Sequence, residues 1–177
     1  YGYTKMVTEN VTVESGIATT HMMKNEKQTG NLYIHKQDAK TGKALKQIGF
    51  KIKNGNGQYL KFNNITGRVN DGITVSSIQV ATNNSDATEF YTDNNGDIKI
   101  YNILRGSYFA EETTINNSDY YGYELDPDYI SWNDYDGHGT NGHNCRWTSQ
   151  GQGTLKGTWA YVWVETKQTS SMTCYNE

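Results

Sequence analysis

Apolar residues along this chain recur at every second position, in short runs separated by tight polar turns. Leu32, Ile34 and Lys36 share one face of the first run, so a lysine stands where an apolar residue is expected. Phe50 and Ile52 lie on a second run that ends at Asn54-Gly55-Asn56-Gly57. Tyr59 to Phe62 then reads as the return strand of a hairpin. Ile73 to Val80 is another alternating run. Phe90-Tyr91 and Ile98-Lys99-Ile100 flank the turn Asp93-Asn94-Asn95-Gly96. Tyr108 to Glu112 follows Gly106, and Trp159 to Thr166 carries the strongest strand pattern. No stretch shows a helical stripe, apart from room for a short turn between Ile78 and Asp86. The pattern predicts an all-β, antiparallel, immunoglobulin-like sandwich.

Three regions follow from the same pattern. Residues 1–29 read as an N-terminal arm and linker, and residues 30–177 as the sandwich domain. Within that domain, residues 126–158 form a long Gly/Asp/Trp-rich insertion before the last strand, and a short tail ends the chain. In the arm, Val7, Val11 and Val13 share one face of an extended segment, with Glu9 interrupting it. An amphipathic strand standing alone needs a sheet edge to pair with. The arm can fold back on its own domain or serve as a donor strand for a neighbouring subunit, and open head-to-tail exchange of the second kind builds a filament.

Composition sharpens the class. Of 177 residues, 34% are hydrophobic, which half-buried sheets tolerate because alternate residues face water. The 14 tyrosines and 18 glycines suit exposed sheets and their turns. Net charge is −3 with no long basic run, which argues against nucleic acid as partner. No apolar stretch approaches membrane-spanning length. The start at Tyr1, with no signal peptide visible, fits either a mature, processed end or a trimmed chain. Two cysteines, Cys145 and Cys174, permit one internal bridge. They are not a CxxC pair, so a redox motif or zinc knuckle is a poor reading. A bridge closing such a loop contributes roughly 3–4 kcal/mol if unstrained.

The insertion is rich in potential ligands. Asp134, Asp136 and His138 alternate and form a candidate metal set, although later acidic positions of a calcium loop are absent. Trp132, Tyr135 and Trp147 are candidates for an aromatic sugar- or protein-binding face, or for a minor core under a long loop. No Ser-His-Asp order, HExxH, P-loop or paired-carboxylate motif is present, so the chain reads as a non-enzyme without a cofactor.

About half of the chain carries a resemblance. Leu32-Tyr33-Ile34-His35-Lys36-Gln37-Asp38 runs on to Thr41-Gly42-Lys43, and Asp93-Asn94-Asn95-Gly96-Asp97 comes later. Gly106-Ser107-Tyr108, Glu112 and Gly122-Tyr123-Glu124-Leu125 complete the order. This resembles the B-type, prealbumin-like repeat of the collagen-adhesin family, which builds pili and adhesin stalks of Gram-positive bacteria. The resemblance implies a lysine on the first strand, a glutamate six residues after the glycine of Gly-x-Tyr, and an asparagine on the last strand. In that family the lysine attacks the asparagine side chain and ammonia leaves, giving an intramolecular isopeptide bond. Mapped by position, the lysine is Lys36 and the glutamate Glu112. Val162 and Val164 face inward on the Trp159–Thr166 strand, so Thr166 takes the acceptor place and no bond within one chain is expected.

The resulting expectation is a structural subunit of an extracellular fibre on the surface of a Gram-positive bacterium, a homo-oligomer polymerising through its arm. The alternative is an adhesin stalk or tip module that binds host protein or glycan through residues 126–158.

Overall fold

The computed structural model describes residues 10–38, 40–115, 145–147, 155–156 and 159–176. In chain order the first strands are β1 (Thr29–Asp38), β2 (Ile48–Asn54), β3 (Leu60–Phe62), β4 (Gly67–Asn70), β5 (Gly72–Thr74), β6 (Ile78–Val80) and β7 (Thr88–Tyr91). They continue as β8 (Asp97–Leu104), β9 (Gly106–Ile115), β10 (Cys145–Trp147), β11 (Leu155–Lys156), β12 (Trp159–Val164) and β13 (Thr169–Asn176). A single 3-10 turn, Asn84–Asp86, is the helical element among the described residues. No helix there is long and apolar enough to cross a membrane.

Two sheets face each other as a prealbumin-like sandwich. One has the order β10-β13-β1-β8-β5, the other β11-β12-β9-β2-β7-β4, and β3 pairs with β6 beside them. The alternation read from the sequence is the reason they can face each other. Leu32, Ile34, Ile98 and Ile100 point inward from the first sheet. Phe50, Ile52, Phe90, Ala110, Val162 and Val164 meet them from the second, all buried. Burial of side chains of this size drives assembly at roughly 1.5–3 kcal/mol each.

The structure departs from the sequence reading in four places. The sandwich is mixed, because β1–β13, β4–β7 and β5–β8 run parallel. Residues 169–176, read as a tail, form β13, an interior strand between β10 and β1. Their pattern was weak because Ser170 and Cys174 fill inward places beside Met172; the Ser170 hydroxyl is satisfied by donating to the Trp163 carbonyl at 2.8 Å. The run Ile73 to Val80 is not one strand. It splits at Val75, whose N–H donates to the Tyr101 carbonyl, into β5 and β6, which join different sheets. Finally, Tyr59 makes one bridge to Lys53, after which the return strand leaves β2 and pairs with β6.

The arm is described from Asn10 onward. Residues 10–26 contain no strand, and a turn at Glu14 returns the Ile17 N–H to the Glu14 carbonyl. Val11 and Val13 are 43% and 76% exposed, so neither is buried in the core; Val7 lies outside the described residues. An extended segment with no edge to pair with has nothing to satisfy its backbone groups except water. The arm's exit is nonetheless fixed. The Arg105 N–H donates to the Gln28 carbonyl, and the Lys167 N–H donates to the Thr29 carbonyl at 2.7 Å.

Candidate functional site

The alternation of β1 carries Leu32, Ile34 and Lys36 to the same inward face, and that of β9 carries Tyr108, Ala110 and Glu112. β1 belongs to one sheet and β9 to the other, so the two charged residues meet in the space between them. Lys36 Nζ donates to Glu112 Oε2 at 2.6 Å, with the side chains 1% and 7% exposed. Nζ also lies 6.0 Å from the Phe50 ring centroid.

Burial pushes the Lys36 ammonium down from its usual range, and the charge and hydrogen bond of Glu112 work against that shift. A buried pair of this kind contributes little net stability over an apolar pair, yet removing one partner costs about 3–5 kcal/mol. Chemically, it is a dry amine beside a carboxyl able to accept and return a proton.

Local structure holds the lysine's backbone rigidly. The Lys36 N–H donates to the Gly96 carbonyl at 2.8 Å, and the Leu45 N–H donates to the Lys36 carbonyl at 2.9 Å. Gly96 closes the turn after Asp93 with φ +77°, and a Cβ there would stand 2.4 Å from the Lys36 oxygen. Asp93 Oδ1 fixes the turn by accepting from the Asn95 and Asp97 N–H groups, both at 2.8 Å. This turn links β7 to β8 and so crosses from one sheet to the other.

Thr166 is not at the acceptor position. It follows β12 at the end where Val164 pairs with Gly106, whereas Glu111 pairs with Trp159 at the other end. Its neighbour Lys167 bonds to Thr29, seven residues before Lys36 on β1, roughly 20 Å away at strand rise. Among the described residues, the Thr166 Oγ1 is buried with no hydrogen-bond partner. The strand that runs beside Lys36 is β13, and the residue directly across from Lys36 is Cys174. Ser170, Met172 and Cys174 are buried on its inward face. The next position of the same parity is Asn176, in register with Asp38. The sequence reading took β12 for the last strand and left β13 out; the signal for its inward face was the series Ser170, Met172, Cys174.

The other candidates divide. Cys145 and Cys174 stand directly opposite each other on β10 and β13. Cys174 is buried, and no cysteine among the described residues is free. Trp147 pairs with Met172 on the same strands. Trp132, Asp134, Tyr135, Asp136 and His138 lie outside the described residues. Among the described residues no group of three His, Cys, Asp or Glu side chains is arranged to hold a metal.

At the opposite end of the sandwich, Glu165 accepts from Arg105 Nε at 2.5 Å, Trp163 Nε1 at 3.2 Å and the Thr166 N–H at 2.9 Å. The Arg105 hydrogen bond leads these in lowering its carboxyl to about 2. This cluster sits over the exit of the arm.

The family model for the SpaA prealbumin-like fold domain matches residues 30–133. The chain belongs to that family. The domain's fold is also that of solved pilin structures. The shaft pilin SpaA from Lactobacillus rhamnosus GG is 19% identical with a TM-score of 0.53, covering 86% of this chain and 48% of that one. Its C-terminal domain alone is 19% identical with a TM-score of 0.53, covering 85% of this chain and 100% of that domain. The group B streptococcus pilus 2b backbone protein is 20% identical with a TM-score of 0.47, covering 86% and 44%. The SpaA-type domain described here thus spans about half the length of the full shaft pilin it resembles. No curated protein sequence matches it.

Proposed function

We propose that this domain is a non-enzymatic, load-bearing, pilin-like subunit of an extracellular fibre on a Gram-positive cell surface. The observation that carries the reading is a SpaA-type prealbumin-like sandwich with a buried lysine–glutamate pair between its sheets. Its first and last described strands, β1 and β13, run parallel and side by side. Pulling on the ends of such a pair loads its hydrogen bonds together and in shear.

The acceptor in this reading is Asn176, two residues beyond the position across from Lys36 on the neighbouring strand. In this reading the Lys36 amine attacks the Asn176 side-chain carbonyl, a C–N bond forms, and ammonia leaves. Glu112 takes the proton from the amine and delivers it to the leaving nitrogen. The lysine's lowered proton affinity favours the neutral nucleophile. The disulfide reading for Cys145 and Cys174 stands beside it, supported by their direct opposition and by the oxidising compartment of a surface protein.

Assembly in this reading runs through the arm, whose Val11 and Val13 are exposed on their own domain. Each arm pairs with a sheet edge of the next copy and makes a head-to-tail filament. Electron microscopy of the purified protein tests the fibre, with deletion of residues 1–14 as the control. Fibres that disappear on deletion are the expected result. Fibres that persist refute the role of the arm. Monodisperse monomers of the full chain refute the fibre reading and favour an adhesin module that binds host protein or glycan.

A further inference from the structure

We propose that Cys145 and Cys174 are positioning residues for the lysine site, so that oxidation of the pair sets how fast Lys36 is acylated. This rests on the crosslink reading above, and it adds a redox condition to it. Three strands lie in a row, β10, β13 and β1. Cys174 occupies the middle one, with Cys145 directly across on one side and Lys36 directly across on the other. The acceptor position, Asn176, lies two residues further along β13.

Opposed residues of an antiparallel pair have Cα atoms about 4.5–5.5 Å apart, inside the span a disulfide needs. Among the described residues β10 pairs with β13 over Cys145–Trp147, and an edge pairing of that length is weak without a covalent tie. With the bridge closed, β13 is held from both sides at the level of Lys36. With it open, β13 keeps its pairing with β1 but loses the covalent hold on its other side. An amide-forming attack is steep in geometry: a misplacement of about 1 Å can cost on the order of a hundredfold in rate.

The chemistry balances in two separate steps. The two thiols lose two electrons and two protons to a small-molecule disulfide such as oxidised glutathione, which is reduced to two thiols. The Lys36 amine and the Asn176 carboxamide then condense with loss of one ammonia. The bridge is not consumed in the second step and touches no reacting atom.

The test follows the mass of three proteins refolded from denaturant: the full chain with oxidised glutathione, the Cys145→Ser/Cys174→Ser variant, and Val164→Ala. Each sample is denatured and reduced before weighing, so that only ammonia loss is read. Val164 is buried at the far end, where β12 meets Gly106, and its truncation lowers stability without touching β13's register at Lys36. Expected is ammonia loss in the wild type, at least about tenfold slower loss in the double-serine variant, and an unchanged rate in Val164→Ala. The same slowing should appear in wild type refolded with a reductant. Equal rates in wild type and double-serine protein overturn the positioning role and leave the crosslink standing. Slowing of Val164→Ala to the same extent also overturns it, because general stability would then explain the effect. A wild type that never loses ammonia overturns both readings.

Discussion

Replacing Glu112 by alanine is the sharpest perturbation of the buried site. In the folded chain Lys36 and Asn176 sit on neighbouring parallel strands, offset by two residues. At about 4.8 Å between strands and 3.3 Å per residue, their Cα atoms are roughly 8 Å apart. An extended lysine and an asparagine together span that gap, so a bond requires no change of fold. The bond would close a loop of about 140 residues, worth about 5 kcal/mol by the chain-entropy relation used for disulfides. For a domain of this size that is roughly 10–20 °C in melting temperature. Glu112→Ala removes the proton carrier and leaves Lys36 in a dry site without its carboxylate. Once denatured and reduced, the wild type is expected to weigh about 17 Da less than its sequence, one ammonia by stoichiometry. The variant is expected at full mass and to melt lower by at least the stated interval. Fragment-ion mapping of the wild type should place the link between Lys36 and Asn176. Ammonia loss that persists in Glu112→Ala refutes the assigned role of the glutamate. A wild type at full mass refutes the bond itself, and a link mapped to another asparagine refutes the register argument.

Further expectations concern other parts of the molecule. Gly96→Ala forces a Cβ to 2.4 Å from the Lys36 carbonyl at φ +77°; chemical denaturation should show a loss above about 2 kcal/mol, and wild-type stability would refute the packing argument. Glu165 is held at about 2, below its ordinary 4.5. Its contribution is therefore fully present above pH 4.5 and lost as pH falls through 2. Thermal melts of wild type and Glu165→Gln should differ at pH 5 and converge by pH 2, and a gap that does not narrow would contradict the Arg105 pairing. Peptide mapping without reductant should recover Cys145 linked to Cys174; two free thiols would remove the bridge.

Much of the sandwich was legible from alternation alone. The inward faces of β1, β2 and β12 were readable because Leu32, Ile34, Phe50, Ile52, Val162 and Val164 repeat at the strand period and are buried together. Lys36 stood out for the same reason, as a charge on an apolar face. Its distance to Glu112 was not readable, since 76 residues separate them and only the stacking of two sheets brings them to 2.6 Å. β13 was hidden because Thr169–Asn176 offers Met172 and a cysteine in place of an apolar series, and a strand gains its identity from neighbours as well as from its own side chains. The split of residues 73–80 likewise depends on which sheet captures each half. Local sequence fixes the period of a strand, and therefore which residues share a face. Partner, direction and register are long-range choices, made where two sheets must close one core around the same lysine.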